Sequence, residues 1–121
     1  MPVFSRLRGD VLELTVDGDY TSNELRRVAF RAFESDDTPS RVPILLDMSG
    51  AAGVALKPQA EMEASGAIFG AYRDRIRGLG IVVGGDAHPL FANESPFGQE
   101  ADVSIRACHS HAEAREWLAA Q

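Results

Sequence analysis

The sequence predicts an α/β fold: one domain over residues 1–121, with a mixed, mostly parallel β-sheet of about five strands, an N-terminal hairpin and about four flanking helices. Three observations carry this expectation. The runs Ile44-Leu45-Leu46 and Leu79-Gly80-Ile81-Val82-Val83 are apolar without alternation, as strands covered on both faces are. Segments with helical periodicity separate them, and two of those helices open on capping boxes. A chain of 121 residues, 45% apolar, has enough material for one core and little for a second.

The elements follow in order. Residues 3–7 and 10–17 read as a hairpin turning at Arg8-Gly9-Asp10, with Leu12, Leu14 and Val16 alternating with Glu13 and Thr15. Thr21 and Glu24 box the first helix, Tyr20 and Leu25 staple it, and Leu25, Val28, Ala29, Ala32 and Phe33 form its apolar stripe. After the loop 35–41, Pro43 opens the central strand. Pro58 starts a second helix expected to run to about Arg73. Its Ala60, Ala64, Ala67 and Ala71 form a small-residue stripe, and Gly66 and Gly70, spaced G-x-x-x-G, predict close packing on a sheet or a neighbouring helix. Residues 79–85 form a buried strand, 86–101 are loop-rich, and 102–107 alternate as a final strand. Ser110 and Glu113 box the closing helix, which turns Ala114, Trp117 and Leu118 to the core.

A net charge of −6 and a pI near 4.9 argue against nucleic acid or an anionic membrane as partner, since both would be repelled at long range. Cys108 is the one cysteine, which fits a reducing compartment. No apolar run is long enough to span a membrane, and residues 1–10 lack the apolar core of a signal peptide, so a cytoplasmic location is expected.

Four stretches resemble the STAS domain, named for sulfate transporters and anti-sigma-factor antagonists, and within it the SpoIIAA-like stand-alone bacterial proteins. They are VLELTVDGDYTSNEL (11–25), PILLDMSG (43–50), RIRGLGIVVGGD (75–86) and AEAREWLAA (112–120). The resemblance implies a STAS-like fold and a regulatory role through protein binding. It also implies a phosphoacceptor serine or threonine at the start of the second helix. Aligning Leu46-Asp47-Met48-Ser49-Gly50 on the family's Leu-Asp-x-Ser-Gly puts Ala55, Leu56, Lys57 and Pro58 at that place, so the acceptor is missing. A phosphate there needs a hydroxyl facing helix N–H groups, and neither Leu56 nor Lys57 has one. Ser49 remains a weak candidate at the strand end.

Other chemistry is sparse. Cys108-His109-Ser110-His111, with His88 nearby, lacks the paired spacing of a zinc site and reads as a helix cap region. The stretch from Asp17 lacks the glycine and glutamate of a calcium loop, and no dinucleotide fingerprint occurs, so neither metal nor cofactor is expected. Arg73, Arg75 and Arg77 suit the C-terminal dipole of the second helix, with an anion or acidic-partner patch as the alternative. Leu90, Phe91 and Phe97, in the segment 86–99, either cover the core, the favoured reading, or form an apolar patch.

The sequence therefore points to a non-enzymatic regulatory or protein-protein interaction module. Its partner or ligand loop is drawn from Asp47, Ser49, Gly50, Lys57, Leu90, Phe91 and Phe97. The first alternative is a SpoIIAA-like module for a small apolar molecule or lipid, bordered by the Gly- and Ala-rich second helix. The second is an enzyme using Asp47, Ser49 and His88. The partner is expected to be a protein of unspecified identity, and a homodimer is compatible with the sequence.

Overall fold

A computed structural model describes residues 2–121. Five strands, β1 (Val3–Arg8), β2 (Val11–Gly18), β3 (Val42–Ala51), β4 (Ile76–Val82) and β5 (Ile105–Cys108), form one sheet in the order 1-2-3-4-5. The hairpin pair β1 and β2 is antiparallel, and every later pairing is parallel. Four α-helices, α1 (Ser22–Phe33), α2 (Gln59–Gly70), α3 (Pro96–Ala101) and α4 (His111–Ala119), complete the α/β fold.

Each parallel crossover advances one strand in the same direction, so crossovers of one hand stack α1, α2 and α3 on the same sheet face. Alternation sorts the side chains accordingly. Leu12, Leu14, Val16, Ile44, Leu46, Met48, Leu79 and Ile81 join Leu25, Phe33, Phe69 and Phe97 in the larger core. Val11, Leu45, Val82 and Cys108 point the other way, onto Ala114, Leu118 and Trp117 of α4. The unbroken Ile44-Leu45-Leu46 run is thus the consequence of two covered faces.

The sequence boundaries move in four places, the first being the strand expected over 79–85, which runs over Ile76–Val82. The second helix ends at Gly70 rather than Arg73; Ala71 caps it, a 3-10 turn fills Arg73–Arg75, and β4 begins directly at Ile76. The loop-rich segment contains a 3-10 stretch, Gly85–Phe91, and the short helix α3, started by Ser95, whose hydroxyl accepts from the Gly98 N–H. The last strand begins at Ile105 rather than 102, because Asp102 closes α3 in a left-handed conformation, φ 51°, and residues 102–104 are spent on the turn.

Gly66 and Gly70 do pack closely on a neighbouring helix. A Cβ on Gly66 would overlap the carbonyl of Phe97, and one on Gly70 that of Glu100, both on α3. The alanine stripe lies on the other side of α2: Ala60, Ala64, Ala67 and Ala71 are all exposed.

Candidate functional site

The C-terminal ends of β2 and β3 release two loops that are locked together. Gly53 takes the left-handed conformation, φ 67°, that turns the chain into the 3-10 segment Val54–Leu56. Val54 is buried beneath it. Lys57 then reaches across to the loop before α1. Its Nζ donates to the Tyr20 carbonyl at 2.6 Å, lies 4.5 Å from the centre of the Tyr20 ring, and stands 3.7 Å from the Asp19 carboxylate. Burial, and then the charge of Glu61, push the Tyr20 phenol up to about 12, so the ring stays neutral beneath the ammonium. Glu61, in the first turn of α2, accepts from the N–H of Ser22 at 3.1 Å and from its hydroxyl at 2.9 Å. One carboxylate therefore serves the N-termini of two helices, where negative charge is favoured. Lys57 is a tie inside the protein rather than a free cation.

This bracing leaves Leu56 pointing outward at 87% exposure, the highest of the exposed large hydrophobic residues. Ala52, Gly53 and Ala55 around it are also exposed. A leucine held in water on a tied-down turn keeps its apolar surface unburied with little entropy left to lose on docking.

Asp47 and Ser49 lie on the opposite sheet face, beside the start of α4. The Asp47 carboxylate accepts from the Ser49 N–H at 2.9 Å and from the Ser49 hydroxyl at 2.6 Å, and lies 2.7 Å from His111 Nε2. Partial burial alone would raise the Asp47 pKa, but the hydrogen bonds from His111 and Ser49, with the charge of His111, outweigh it and hold the carboxyl below its usual range. A depressed carboxyl contributes stability that is present above its unfolded value, about 4, and lost as pH falls through the folded value. Asp47→Asn is therefore expected to lower the denaturation midpoint at neutral pH, with the gap to wild type closing as pH drops below about 4. Urea titrations at a series of pH values check this, and a gap independent of pH would contradict it.

The arrangement differs from that of a Ser-His-Asp triad. The Ser49 hydroxyl donates directly to one oxygen of Asp47, and the imidazole of His111 sits on the other oxygen of the same carboxylate, so no histidine stands between the carboxylate and the hydroxyl. His88 is elsewhere, 3.0 Å from the Val83 carbonyl and tilted against His109 with ring centres 4.4 Å apart. Among the described residues no three His, Cys, Asp or Glu side chains converge as a metal set.

The remaining expected residues are dispersed. Phe91 and Phe97 are core residues, each 1% exposed, meeting edge to face at 5.0 Å, and Leu90 packs half-buried against the same cluster. The segment thus covers the core, and no aromatic patch forms there. Gly50 stays at the exposed end of β3 opposite Asp17. The three arginines form no common patch. Arg75 donates to the carbonyls of Phe33 at 2.8 Å and of Ser40 and Pro39 at 3.3 Å, so it serves the C-terminus of α1, not that of α2. Arg77 donates to the main-chain oxygen of Gln121 at 2.7 Å, and Arg73 lies 3.7 Å from Asp102.

A further surface went unread in the sequence. Between α1 and α2 runs an open groove of about 620 Å³ floored by Ala64, Ala67, Ile68 and Ala71. Phe30, 56% exposed, and Tyr72 flank it. The available signal was Phe30, an aromatic that falls off the apolar stripe of its own helix. The alanines border this groove and not an enclosed cavity.

No family model and no curated protein matches the sequence. Among solved structures the chain is similar to an uncharacterized protein of the DUF3478 family with a SpoIIAA-like fold from Shewanella loihica PV-4. The two share 14% identity at a TM-score of 0.60, over 96% of this chain and 91% of that one. The likeness supports the SpoIIAA-like fold expected from the sequence.

Proposed function

We propose that this SpoIIAA-like chain works as a STAS-like interaction module without catalytic activity, and that it engages a protein partner through the turn carrying Leu56. The observation behind this reading is Leu56 itself, 87% exposed on a turn braced by Lys57, Tyr20 and Glu61. Docking such a side chain into a partner's pocket releases apolar surface from water at little ordering cost. The reading needs no phosphoacceptor, because the place where the STAS pattern has a hydroxyl is filled by a hydrophobic anchor. It invokes no catalytic step either, and no imidazole lies on the Ser49 hydroxyl.

Leu56→Asp is expected to leave the unfolding free energy within about 0.5 kcal/mol of wild type, as a surface substitution should. It is expected to abolish partner capture. A photo-crosslinking residue at position 56, used in cells of the native host, tests the site directly. A discrete adduct that excess wild-type chain suppresses and excess Leu56→Asp does not would support the reading. Adducts no different from those formed at exposed Glu116 would remove its basis.

A further inference from the structure

The outward face of α2 is unusual for a surface helix. Helices on a solvated surface normally turn charge to water. Here Ala60, Ala64, Ala67 and Ala71 face solvent, while Met62, Gly66, Ile68 and Phe69 face the core. The alanines carry nothing beyond Cβ, so another backbone can approach closely and no charged group has to shed water. Phe30 rises beside them from α1. Over Ala64–Tyr72 and Arg26–Glu34 the groove is walled by about 12 Å of each helix, or roughly two turns.

Its charge runs against that of the molecule. Arg26, Arg27 and Arg31 line the groove with Glu34 as the one carboxylate, on a chain of net charge −6. Arg26 donates to Asn23 at 2.6 Å. Among the described residues Arg27 and Arg31 make no ion pair.

The geometry points to this groove as the docking site for an acidic amphipathic helix of two to three turns supplied by a partner protein. The alanine floor takes the apolar stripe of the incoming helix, at i, i+3 or i+4 and i+7, while the arginine rim takes Asp or Glu on its flanks. A second copy of this chain fits poorly, since a two-fold contact through the groove would gather the three arginines of each copy in one interface with only Glu34 of each to offset them. An anionic membrane is repelled by the net charge and does not match a concave surface. A small apolar molecule would be left half exposed in an open trough, where ligand sites usually enclose most of the ligand. This site lies apart from Leu56 and does not depend on it.

The test is selection of a displayed library of 14-residue helices against the immobilised full chain, with apolar residues at positions 1, 4, 8 and 11 and the rest randomised. Enrichment of Asp and Glu beside the apolar stripe is expected. The best peptide should lose at least tenfold in affinity for Ala67→Trp, and several-fold between about 50 and 300 mM salt as the arginines are screened. An Arg27→Glu/Arg31→Glu variant should come to prefer Lys-flanked peptides, a reversal that partial unfolding would not produce. Binding should be unchanged in Leu56→Asp, so this inference and the Leu56 reading can fail separately. Absence of binders, binders without acidic bias, or binders indifferent to Ala67→Trp would overturn the inference. So would flotation of the chain with phosphatidylglycerol vesicles, or dimerisation in sedimentation that Ala67→Trp abolishes.

Discussion

Gly66→Ala and Gly70→Ala are each expected to destabilise the protein by more than about 2 kcal/mol, although alanine is the better helix former by roughly 1 kcal/mol. The reason lies across the helix interface. A methyl at either position would occupy the space of a main-chain carbonyl of α3, Phe97 or Glu100, and a backbone atom cannot swing aside as a side chain can. Relief would require α3 to move off α2, and α3 carries Phe97, which packs against Phe69 and Phe91. In urea the loss should appear as a midpoint lowered by roughly 1 M. Ala67→Gly, on the exposed face of the same helix, is the matched reference, with an expected cost of about 1 kcal/mol from helix propensity alone. An increase in the midpoint for Gly66→Ala would mean that the close contact with α3 is not made.

Arg115→Met is expected to cost about 2 kcal/mol, whereas the double change Glu13→Leu/Arg115→Met should cost much less. Glu13 projects from β2 onto the sheet face that α4 covers only in part, and its side chain is 8% exposed. Arg115 donates to its carboxylate, while Arg8 stands further off at 3.9 Å. Removing Arg115 leaves a buried charge with one distant, solvent-facing partner. Removing both charges leaves an apolar pair on a sheet surface. The expected cost falls below that of a fully buried pair because Arg115 is itself one-third exposed and screened by water. Denaturation of the two single variants and the double variant closes the cycle, and a double variant as unstable as Arg115→Met would contradict it.

Much of the fold was legible because local rules and tertiary packing agree. The capping box of Thr21 and Glu24 forms as read, with both reciprocal hydrogen bonds; the one expected of Ser110 and Glu113 forms by half, since Ser110 accepts from the Glu113 N–H while the Glu113 carboxylate accepts from the His109 N–H rather than from Ser110. Misreadings fall where a short-range signal was overruled or overlooked. Ser95 and Pro96 are a good helix start, but six residues are too few for periodicity to reveal α3. Arg73, Arg75 and Arg77 follow α2 in sequence, yet Arg75 is drawn to the end of α1 because the parallel crossover places that end beside it.

The candidate site was less legible, and for one physical reason. A sequence shows which residues are apolar or charged, but not which neighbours satisfy them. Phe91 and Phe97 were open to two readings, core cover or apolar patch, until the core enclosed them, and Lys57 was placed in a partner loop until the Tyr20 carbonyl held it. Leu56 and Phe30 resembled ordinary hydrophobic residues and proved to be the ones left in water.

By itself the amino-acid sequence determined the α/β class, the parallel core strands and the starts of α1, α2 and α4, because these depend on residue type and on spacing within a few positions. Only the tertiary structure decided that Asp47 meets His111, that Glu61 ties two helix starts, and that arginines of α1 face alanines of α2. Those pairings join residues 64, 39 and roughly 40 positions apart, and the sheet order brings them together.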